Sequence, residues 1–381
     1  MERLRILLVD DDVVMLQRIS KSLTARLGHQ AEFVQEADFE RALSRLAEER
    51  FDVAILDVRK GDPNDPTPVG AEAGKACFEA IKQRRFIPVV FHTGLPSAVQ
   101  ELASPVVAIV WKGEAPNVLA TQIEQLISSK LPAMVRGLTA HIEQVQRDYM
   151  WNFGAQAWND HGLNHPKDFA HLLARRLALS FDAAPVDSLL DGLGHVAQRP
   201  DAGLNPVRMY VMPPLNQQVH LSGDIYEADG KFWVLLTPTC DLVTGGGRTC
   251  KAENPVLAAC TLLSETSEFQ LWKDDRSNKK LAGDLTVLLK NRRSSQPDRY
   301  FFLPAAFKLP DLVVDLGALQ KMPYTDLLDS TKMQHLASLD TPFAAALLTK
   351  FLRYFGRFGT EDVDVNQVLG RLGEQSGGPS K

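Results

Sequence analysis

Apolar and polar residues alternate regularly over the first 130 residues of the chain. Short apolar runs are separated by segments in which apolar residues recur at every third or fourth position. The runs predict five β-strands, at Ile6–Val9, Phe33–Val34, Val53–Leu56, Ile87–Phe91 and Val106–Trp111. Strands that alternate with helices form βαβ units with right-handed crossovers, so we expect a parallel sheet covered by helices on both faces.

The segments between these runs predict helices. The second of them begins after Asp38, whose carboxylate is suited to cap a helix start. A third covers 70–84, and a short one follows Pro96. The first and the fifth are built around apolar residues at helical spacing, namely Leu16, Ile19, Leu23 and Leu27, and Leu119, Ile123, Leu126 and Ile127.

Polar residues that could bind a metal ion or a phosphoryl group stand at the ends of the predicted strands. Asp10 and Asp11 follow the first strand, Asp57 the third, and Thr93 and Lys112 the fourth and fifth. The carboxyl ends of parallel strands share the sheet edge at which open α/β sheets bind ligands. Three carboxylates gathered there repel one another unless a divalent cation lies between them, and Mg²⁺ prefers such oxygen ligands. A hydroxyl and an ammonium group on the same edge suit a phosphoryl group.

Four segments, in this order, resemble the receiver domain of two-component response regulators. They are LLVDDD at 7–12, FDVAILD at 51–57, PVVFHTG at 88–94 and VWK at 110–112. The resemblance implies a flavodoxin-like (βα)5 fold for residues 1–130.

In such a receiver, Asp57 accepts a phosphoryl group from a histidine kinase or a phosphotransfer protein. The resemblance implies that Thr93 hydrogen-bonds a phosphoryl oxygen and that Lys112 pairs with it as a point charge. It also implies one Mg²⁺ ion, held by the carboxylates of Asp10, Asp11 and Asp57 and by the backbone carbonyl of Arg59. Phosphoryl transfer is mostly positioning and charge neutralisation, so these groups suffice for it.

The chain departs from the receiver pattern around its lysine and in one connection. Ile109 stands where the family usually has an aromatic residue that rotates inward on activation. Gly113, directly after Lys112, stands where the family usually has proline. The connection at 61–68 is longer than usual. The usual coupling between the threonine and an aromatic side chain is therefore in doubt.

Two further departures concern hydrolysis of the phosphorylated state. Arg59 lies two residues beyond Asp57, and Leu95 lies two residues beyond Thr93. Neither side chain orients an attacking water as an acidic or amide side chain does. We therefore expect a long-lived phosphoryl-aspartate.

Residues 131–200 predict a helical connector. In the helix at 133–150, apolar residues recur at spacings of three and four over two heptads: Val135, Leu138, Ile142, Val145 and Tyr149. This pattern fits a helix that joins two copies in a homodimer, and it equally fits an amphipathic helix packed on its own chain. Further helices are predicted at 166–179, with Asp168 in the first turn, and at 186–198.

From residue 201 to residue 372 the pattern predicts an output domain of short strands. The apolar runs lie at 207–212, 219–221, 224–227, 232–237, 285–289, 300–303 and 312–316. Asp229-Gly230 is a hairpin signal, and apolar residues from Leu336 to Phe355 predict a helical close. We expect an α+β domain with a small β-barrel-like core. The segment 222–242 weakly resembles the SH3-like barrels of the PemK/MazF kind.

Three cysteines leave an enzymatic output open. Cys240, Cys250 and Cys260 lack the close CxxC pairing of zinc sites. Cys240 with Asp241 and His220 would suit catalysis by a thiol nucleophile. The alternative function is therefore a receiver-gated enzyme, with a nuclease-like or hydrolytic barrel.

A basic stretch at 273–299 leaves a nucleic-acid-binding output open. It holds eight lysines and arginines against four aspartates, between Trp272 and Tyr300 as candidate stacking residues. A solvated surface has the same composition, and no helix shows a basic recognition face. We therefore do not expect nucleic acid to be the main partner.

Composition narrows the class of protein. Hydrophobic residues make up 45% and charged residues 23%, as in ordinary globular domains, and the net charge of -5 provides no global basic field for DNA. Four cysteines fit a reducing compartment. The first apolar run ends at once in three aspartates, and no run approaches the roughly 18 residues of a membrane span. We expect a cytoplasmic protein without a membrane partner, ending in a disordered tail at 373–381.

These observations together predict a phosphoacceptor regulatory protein rather than an enzyme. We expect a Mg²⁺-dependent response regulator that signals through a C-terminal domain that does not bind DNA, or that acts as a phosphoryl sink. Stress or phage-defence signalling is the setting that this architecture suggests by analogy.

Overall fold

The computed structural model describes most of the chain, in two compact units, Met1–Gln198 and Arg199–Lys381. The described residues are 3–58, 73–158, 166–181, 205–215, 219–244, 249–293, 296–357 and 363–376. Four sequence predictions therefore lie outside the description: the metal ligand Arg59, the long connection at 61–68, the helix at 186–198 and the end of the tail from 377 onward.

The N-terminal unit is a five-stranded parallel sheet with helices between its strands. Its elements are β1 Leu4–Val9, α1 Val13–Leu27, β2 Ala31–Glu36, α2 Phe39–Glu48, β3 Val53–Leu56, α3 Ala73–Arg84, β4 Val89–Thr93, β5 Val107–Trp111, α4 Pro116–Ser128, α5 Leu131–Tyr149 and α6 Pro166–Leu179. The strands pair in the order β2-β1-β3-β4-β5, which is the flavodoxin-like order. The predicted (βα)5 fold is confirmed.

Both faces of this sheet are buried, as the continuous apolar strands predict. In β1, Ile6 and Leu8 pack with α1 and α4 on one face, whereas Leu7 and Val9 pack with α2 and α3 on the other. The helix starts also follow the sequence: Asp38 accepts hydrogen bonds from two backbone N–H groups of the first turn of α2.

The segment before β5 differs from the prediction. Where a short helix was expected after Pro96, the chain forms two 3₁₀ turns, Pro96–Ala98 and Gln100–Leu102. Val99 is the one fully buried residue between positions 96 and 102. The 3₁₀ turns nevertheless bring apolar side chains to the core, because Ala98 and Leu102 pack, partly buried, against the same cluster as Val99.

The predicted connector helix is α5, which continues into a π-helical turn at Met150–Gly154 and one further helical turn at Ala155–Ala157. Aromatic rings of this region surround the buried Phe169 of α6, with ring contacts from Tyr149, Phe153 and Trp158. The side chain of Ile142, within the predicted seam, is exposed. Packing on its own chain is thus observed for part of this helix, and dimerisation remains a prediction.

The C-terminal unit is a seven-stranded antiparallel sheet with helices. Its elements are β6 Tyr210–Val211, β7 Asp224–Ala228, β8 Lys231–Leu235, α7 Thr239–Leu242, β9 Val256–Leu262, α8 Ser267–Asp274, α9 Lys279–Leu289, β10 Tyr300–Leu303, β11 Leu312–Lys321, α10 Tyr324–Leu328, β12 Gln334–Leu339, α11 Thr341–Phe355 and α12 Val365–Ser376. The strand order is β10-β11-β9-β8-β7-β12-β6, and the sheet curls into a half-barrel.

The hairpin signal in this unit is confirmed. Asp229 and Gly230 connect β7 to β8 with φ angles of 52° and 72°, and Ala228 pairs with Lys231. Positive φ at both central residues is the two-residue turn that matches the twist of its strands.

Several strand predictions in the C-terminal unit are wrong. The run at 285–289 lies in α9, because Leu285 and Leu288 bury one helical face against Val313 of β11. The run at 219–221 is not a strand, and the apolar residue Leu336 belongs to β12 rather than to the closing helix. Strand β9 was not predicted.

The contact between α3 and the end of β3 is tight enough to test. A Cβ at Gly74 would lie 1.8 Å from the carbonyl oxygen of Asp57. We expect Gly74→Ala to destabilise the N-terminal unit by about 1–3 kcal/mol, because helix and strand must separate. Thermal melts of the full chain, followed by circular dichroism, would measure the loss.

Gly137→Ala in α5 is the matched control. A Cβ there meets nothing within 4 Å, and alanine favours a helix interior over glycine. Equal melting temperatures for the two variants would contradict the packing of α3 on β3.

Candidate functional site

The three consecutive aspartates after β1 have three different environments. Asp10 is 3% exposed and its Oδ1 accepts a hydrogen bond from the Asp12 N–H at 3.0 Å. Asp12 itself caps α1 by accepting from the N–H groups of Val14 and Met15. Asp11 is half-buried. Strand β1 therefore delivers Asp10 and Asp11 to the edge, whereas Asp12 serves the helix.

Asp57 lies directly after β3, buried beside the same edge. Its Oδ1 accepts a hydrogen bond from the Val58 N–H at 2.7 Å. Its Oδ2 accepts one from Lys112 Nζ at 2.8 Å. Both carboxylate oxygens of Asp57 are thereby held in place.

Lys112, which follows β5, joins the two buried carboxylates. Its Nζ lies 2.7 Å from Asp10 Oδ2 and 2.8 Å from Asp57 Oδ2. Burial opposes the charge of Lys112, but the hydrogen bonds to Asp10 and Asp57 outweigh it and raise the Lys112 pKa. Burial also raises the pKa of Asp10, although Lys112 offsets part of that shift.

Thr93 closes β4 at the same edge. It is 1% exposed, and its Oγ1 accepts a hydrogen bond from the Leu95 N–H at 3.1 Å. The preceding residue, His92, is buried, and burial together with the charge of Lys112 lowers its pKa to about 4. At neutral pH the imidazole therefore adds no positive charge to the site.

The acidic residues of this edge fit a hard divalent cation. Asp10, Asp11 and Asp57 each offer one carboxylate oxygen, and the three oxygens lie within 4.8 Å of one another. The raised pKa of Asp10 measures the cost of burying its charge, which a cation would relieve. Oxygen ligands of this kind suit Mg²⁺. Arg59, the predicted fourth ligand, lies outside the described residues.

The structure shows how the two residues near Lys112 that differ from the receiver pattern, Ile109 and Gly113, are packed. Ile109 packs half-buried against the core cluster between the sheet and α2 and α3. The half-exposed Trp111 covers Gly113, since a Cβ at Gly113 would lie 2.4 Å from the indole ring. The glycine is thus needed for this close approach.

Among the residues of the enzymatic alternative, Cys240 contacts Asp241, whereas His220 is bonded to Tyr226. Cys240 is exposed and its Sγ lies 3.8 Å from Asp241 Oδ1. His220 Nδ1 pairs with the hydroxyl of Tyr226, and His220 Nε2 has no hydrogen-bond partner. Burial raises the pKa of Cys260 in β9.

Cys250 and two arginines of the basic stretch have partners within the C-terminal unit. Cys250 Sγ donates to the backbone carbonyl of Asp241 at 3.3 Å. Arg293 pairs with Glu268 at 2.7 Å, and Arg299 pairs with Asp315 at 2.8 Å. Part of the positive charge of the stretch 273–299 is therefore neutralised within the domain.

A second group of ligand-type side chains was missed by the sequence analysis. His220, Asp224 and His335 lie together in the C-terminal unit, although only His220 had been singled out. Asp224 and His335 are 111 positions apart in the sequence and carry no local motif, so only the pairing of β7 with β12 could have revealed them.

The raised pKa of Asp10 predicts a pH dependence of stability. A carboxyl whose folded pKa exceeds its unfolded value of 3.8 binds its proton more tightly in the folded chain. The free energy of unfolding therefore falls as the pH rises from 3.8 through the folded pKa, and it stays lower above that window. With chelator present, we expect Asp10→Asn to remove this fall and to melt above wild type at neutral pH.

Thermal melts from acid to neutral pH would test this expectation. Asp148→Asn, at an exposed position of α5, is the control and should keep the wild-type profile. A lower melting temperature of Asp10→Asn at neutral pH would show that the bond to Lys112 outweighs the burial cost.

Comparison with known proteins gives matches for the N-terminal third. No protein-family model and no curated protein sequence matches this chain. A CheY-like receiver domain protein from Methanospirillum hungatei JF-1 is 25% identical over 34% of this chain and 98% of its own, with a TM-score of 0.28. The PhyR receiver domain from Erythrobacter litoralis is 21% identical over 33% and 92%, with a TM-score of 0.28.

A receiver protein from Sinorhizobium medicae WSM419 is 20% identical over 34% of this chain and 98% of its own, with a TM-score of 0.27. None of the helices that the structure describes has the length and apolar content needed to cross a membrane. The N-terminal third of the chain resembles a response-regulator receiver domain, and its own strand order and edge residues carry that assignment.

Proposed function

We propose that this chain is a response regulator whose Asp57 accepts a phosphoryl group from a histidine kinase or a phosphotransfer protein. The observation that carries the proposal is the position of the Lys112 ammonium, which bonds both Asp57 and Asp10 at the carboxyl edge of the sheet. A carboxylate held this way is a fixed nucleophile with a cation beside it, which is what phosphoryl transfer needs.

The residues at the carboxyl edge of the sheet have different roles in phosphoryl transfer. An oxygen of Asp57 attacks the phosphorus, the bond between phosphorus and the donor's leaving group breaks, and that leaving group takes up a proton. Mg²⁺, when bound by Asp10, Asp11 and Asp57 with the Arg59 carbonyl, supplies charge neutralisation for the phosphoryl oxygens. Lys112 keeps its charge throughout and pairs with the anionic product.

The phosphorylated state changes the charge of the edge and so its conformation. Phosphorylation replaces the single negative charge of Asp57 by the roughly two charges of an acyl phosphate, at an edge where one ammonium group, that of Lys112, bonds two buried carboxylates. On this proposal, Thr93 donates its hydroxyl proton to a phosphoryl oxygen, while its own oxygen accepts from the Leu95 N–H. A shift of Thr93 toward the phosphoryl group thereby moves the segment that leads into the 3₁₀ turns.

The output of this regulator runs through the C-terminal unit without DNA binding, or the chain drains phosphoryl groups from a shared kinase. Two arginines of the basic stretch, Arg293 and Arg299, are paired within the domain, which leaves less charge for nucleic acid. Stress or phage-defence signalling remains the proposed setting.

Substitution of Asp57 tests the phosphoacceptor directly. We expect Asp57→Asn to abolish Mg²⁺-dependent labelling by a small-molecule phosphodonor such as acetyl phosphate, because the amide is not a nucleophile. Lys112→Ala should slow labelling by about tenfold or more, the worth of a hydrogen bond between charged groups. Phosphate-affinity electrophoresis would measure both.

Asp148→Asn is the control for carboxylate substitution and should label like wild type. Unchanged labelling of Asp57→Asn would place the phosphoacceptor elsewhere, and labelling insensitive to chelator would remove the metal from the proposal.

The lifetime of the phosphorylated protein forms a separate prediction. Leu95 offers no group that orients an attacking water, so we expect phosphorylated wild type to persist well beyond seconds after the donor is removed. Leu95→Gln supplies an amide and should shorten the lifetime, whereas Leu95→Ala should not. A wild-type half-life of seconds would contradict the role given to this position.

A further inference from the structure

We propose that His220, Asp224 and His335, in the C-terminal unit, bind one divalent transition-metal ion of the zinc type. Each residue offers one ligand atom, and the three atoms lie within 4.8 Å of one another. Two imidazoles and one carboxylate form a donor set that such ions prefer, unlike the all-oxygen set of the N-terminal unit.

A β-bulge brings two of the three residues to one face of the sheet. His335 pairs with Tyr226 and Ser338 pairs with Asp224, so three steps along β12 match two steps along β7. In a regular strand, two residues that are three positions apart, such as His335 and Ser338, point to opposite faces of the sheet, because side chains alternate. The bulge between them brings both to the same face. The bulge therefore places His335 on the face that carries Asp224 and Tyr226.

The third residue comes from the segment that leads into β7. His220 lies four residues before Asp224, and the Leu221 N–H donates to Asp224 Oδ2 at 2.7 Å. This local bond, together with the bond from the Asp224 N–H to the Leu221 carbonyl at 3.0 Å, folds the segment back on the strand start. His220 is thereby directed at the face that Asp224 and His335 share.

Hydrogen bonds orient His220 for binding through Nε2. Its Nδ1 lies 2.7 Å from the hydroxyl of Tyr226, which in turn donates to Asp224 Oδ2 at 3.3 Å. When the tyrosine proton is donated to Asp224, the phenol oxygen accepts from His220 and the imidazole proton is on Nδ1; this is the tautomer that the proposal requires. The Nε2 lone pair is then the free one, as in metal sites whose histidines donate their other N–H to a second residue.

Asp224 and His335 likewise each have one atom close to a polar partner and one ligand-type atom without a partner. Asp224 uses Oδ2 in the bonds above, and His335 places Nε2 3.4 Å from that same Oδ2. His220 Nε2, Asp224 Oδ1 and His335 Nδ1 have no hydrogen-bond partner. Each of the three residues therefore keeps one ligand-type atom unused.

Burial makes these unused atoms costly without a ligand. The side chains of Asp224 and His335 are 0% and 5% exposed, and His220 is 1% exposed. In the part of the chain that the structure describes, four buried side-chain nitrogen or oxygen atoms lack a partner, and three of them are in this cluster. Buried polar groups in folded proteins nearly always have a partner, so the gathering of three unpartnered atoms in one cluster points to a ligand.

The dimensions and the ligand count favour a zinc-type ion. Ligands of a tetrahedral ion with bonds of about 2.1 Å are about 3.4 Å apart. One ligand-type atom from each residue lies within 4.8 Å of the other two, so these atoms must close by about 1.4 Å at most. Three protein ligands leave a fourth position for water. Bound there, the ion would join the segment before β7 to β12, and so would lock two neighbouring strands and their entry segment.

Metal content of the full-length protein tests the site. We expect wild type, loaded with zinc and passed through a desalting column, to retain about one ion per chain by elemental analysis. His220→Gln, Asp224→Asn and His335→Gln should each lose it while keeping the wild-type circular dichroism spectrum. Tyr226→Phe keeps every ligand but removes the bond that orients His220, so we expect zinc affinity to fall by about tenfold to hundredfold.

Matched controls separate this site from the other groups that bind zinc. His29→Gln removes an exposed histidine, Cys240→Ser an exposed thiol, and Asp57→Asn a carboxylate of the N-terminal cluster; all three should retain the ion. Cobalt loading provides a second readout, because four-coordinate Co²⁺ with nitrogen ligands has a visible absorption that the ligand variants should lose.

Two results would overturn the proposal. One is folded wild-type protein that retains neither zinc nor cobalt. The other is zinc retained equally by wild type and by His220→Gln and His335→Gln. Neither result bears on phosphorylation of Asp57, which depends on the N-terminal unit alone.

Discussion

The ammonium group of Lys112 lies between two carboxylates that the parallel sheet forces together. Strand order places the ends of β1, β3 and β5 on one edge, and Asp10 and Asp57 are buried there. Like charges at this separation raise each other's free energy, which Lys112 offsets by bonding both. The bonds to Lys112 leave the side chains of Asp10 and Asp57 little freedom to move. We therefore infer that a change of charge at this edge is accompanied by movement of neighbouring segments.

The surrounding structure is arranged to keep that edge in place. Gly74 lets α3 approach the backbone of Asp57 more closely than any other residue would allow. The continuous apolar strand β3 is buried on both faces, so Asp57 cannot retreat toward solvent without disturbing the core. The site is therefore positioned by backbone packing and not only by its own side chains.

The N-terminal unit could be predicted from sequence because its determinants are local. Each apolar run of a buried parallel strand is continuous, and each functional residue follows such a run directly, as Asp57 follows Val53–Leu56. The exception is the segment after Pro96, which packs on the core through Ala98, Val99 and Leu102 but forms two 3₁₀ turns instead of the expected helix.

The C-terminal unit was harder to predict because its determinants are not local. Strand β9 contains two alanines and a cysteine, so its composition lacks the β-branched enrichment that marks a strand. Leu336 of β12 was assigned to the closing helix because it lies seven residues before Phe343, a spacing that also fits one face of a helix. The proximity of Asp224 to His335 depends on the bulge in β12, which no local sequence pattern predicts.

The two polar clusters of the chain differ in how their charges and lone pairs are satisfied. In the N-terminal unit, the ammonium group of Lys112 bonds both Asp10 and Asp57, so both carboxylates already have a charged partner. In the C-terminal unit, His220 and His335 are directed by their hydrogen bonds but keep unused nitrogen atoms. A site with its own counterion suits reversible occupation, whereas buried unused ligands suit an ion that stays bound. On the proposed function, the first arrangement is therefore that of a switch, and on the metal proposal the second is that of a permanent cross-link within its domain.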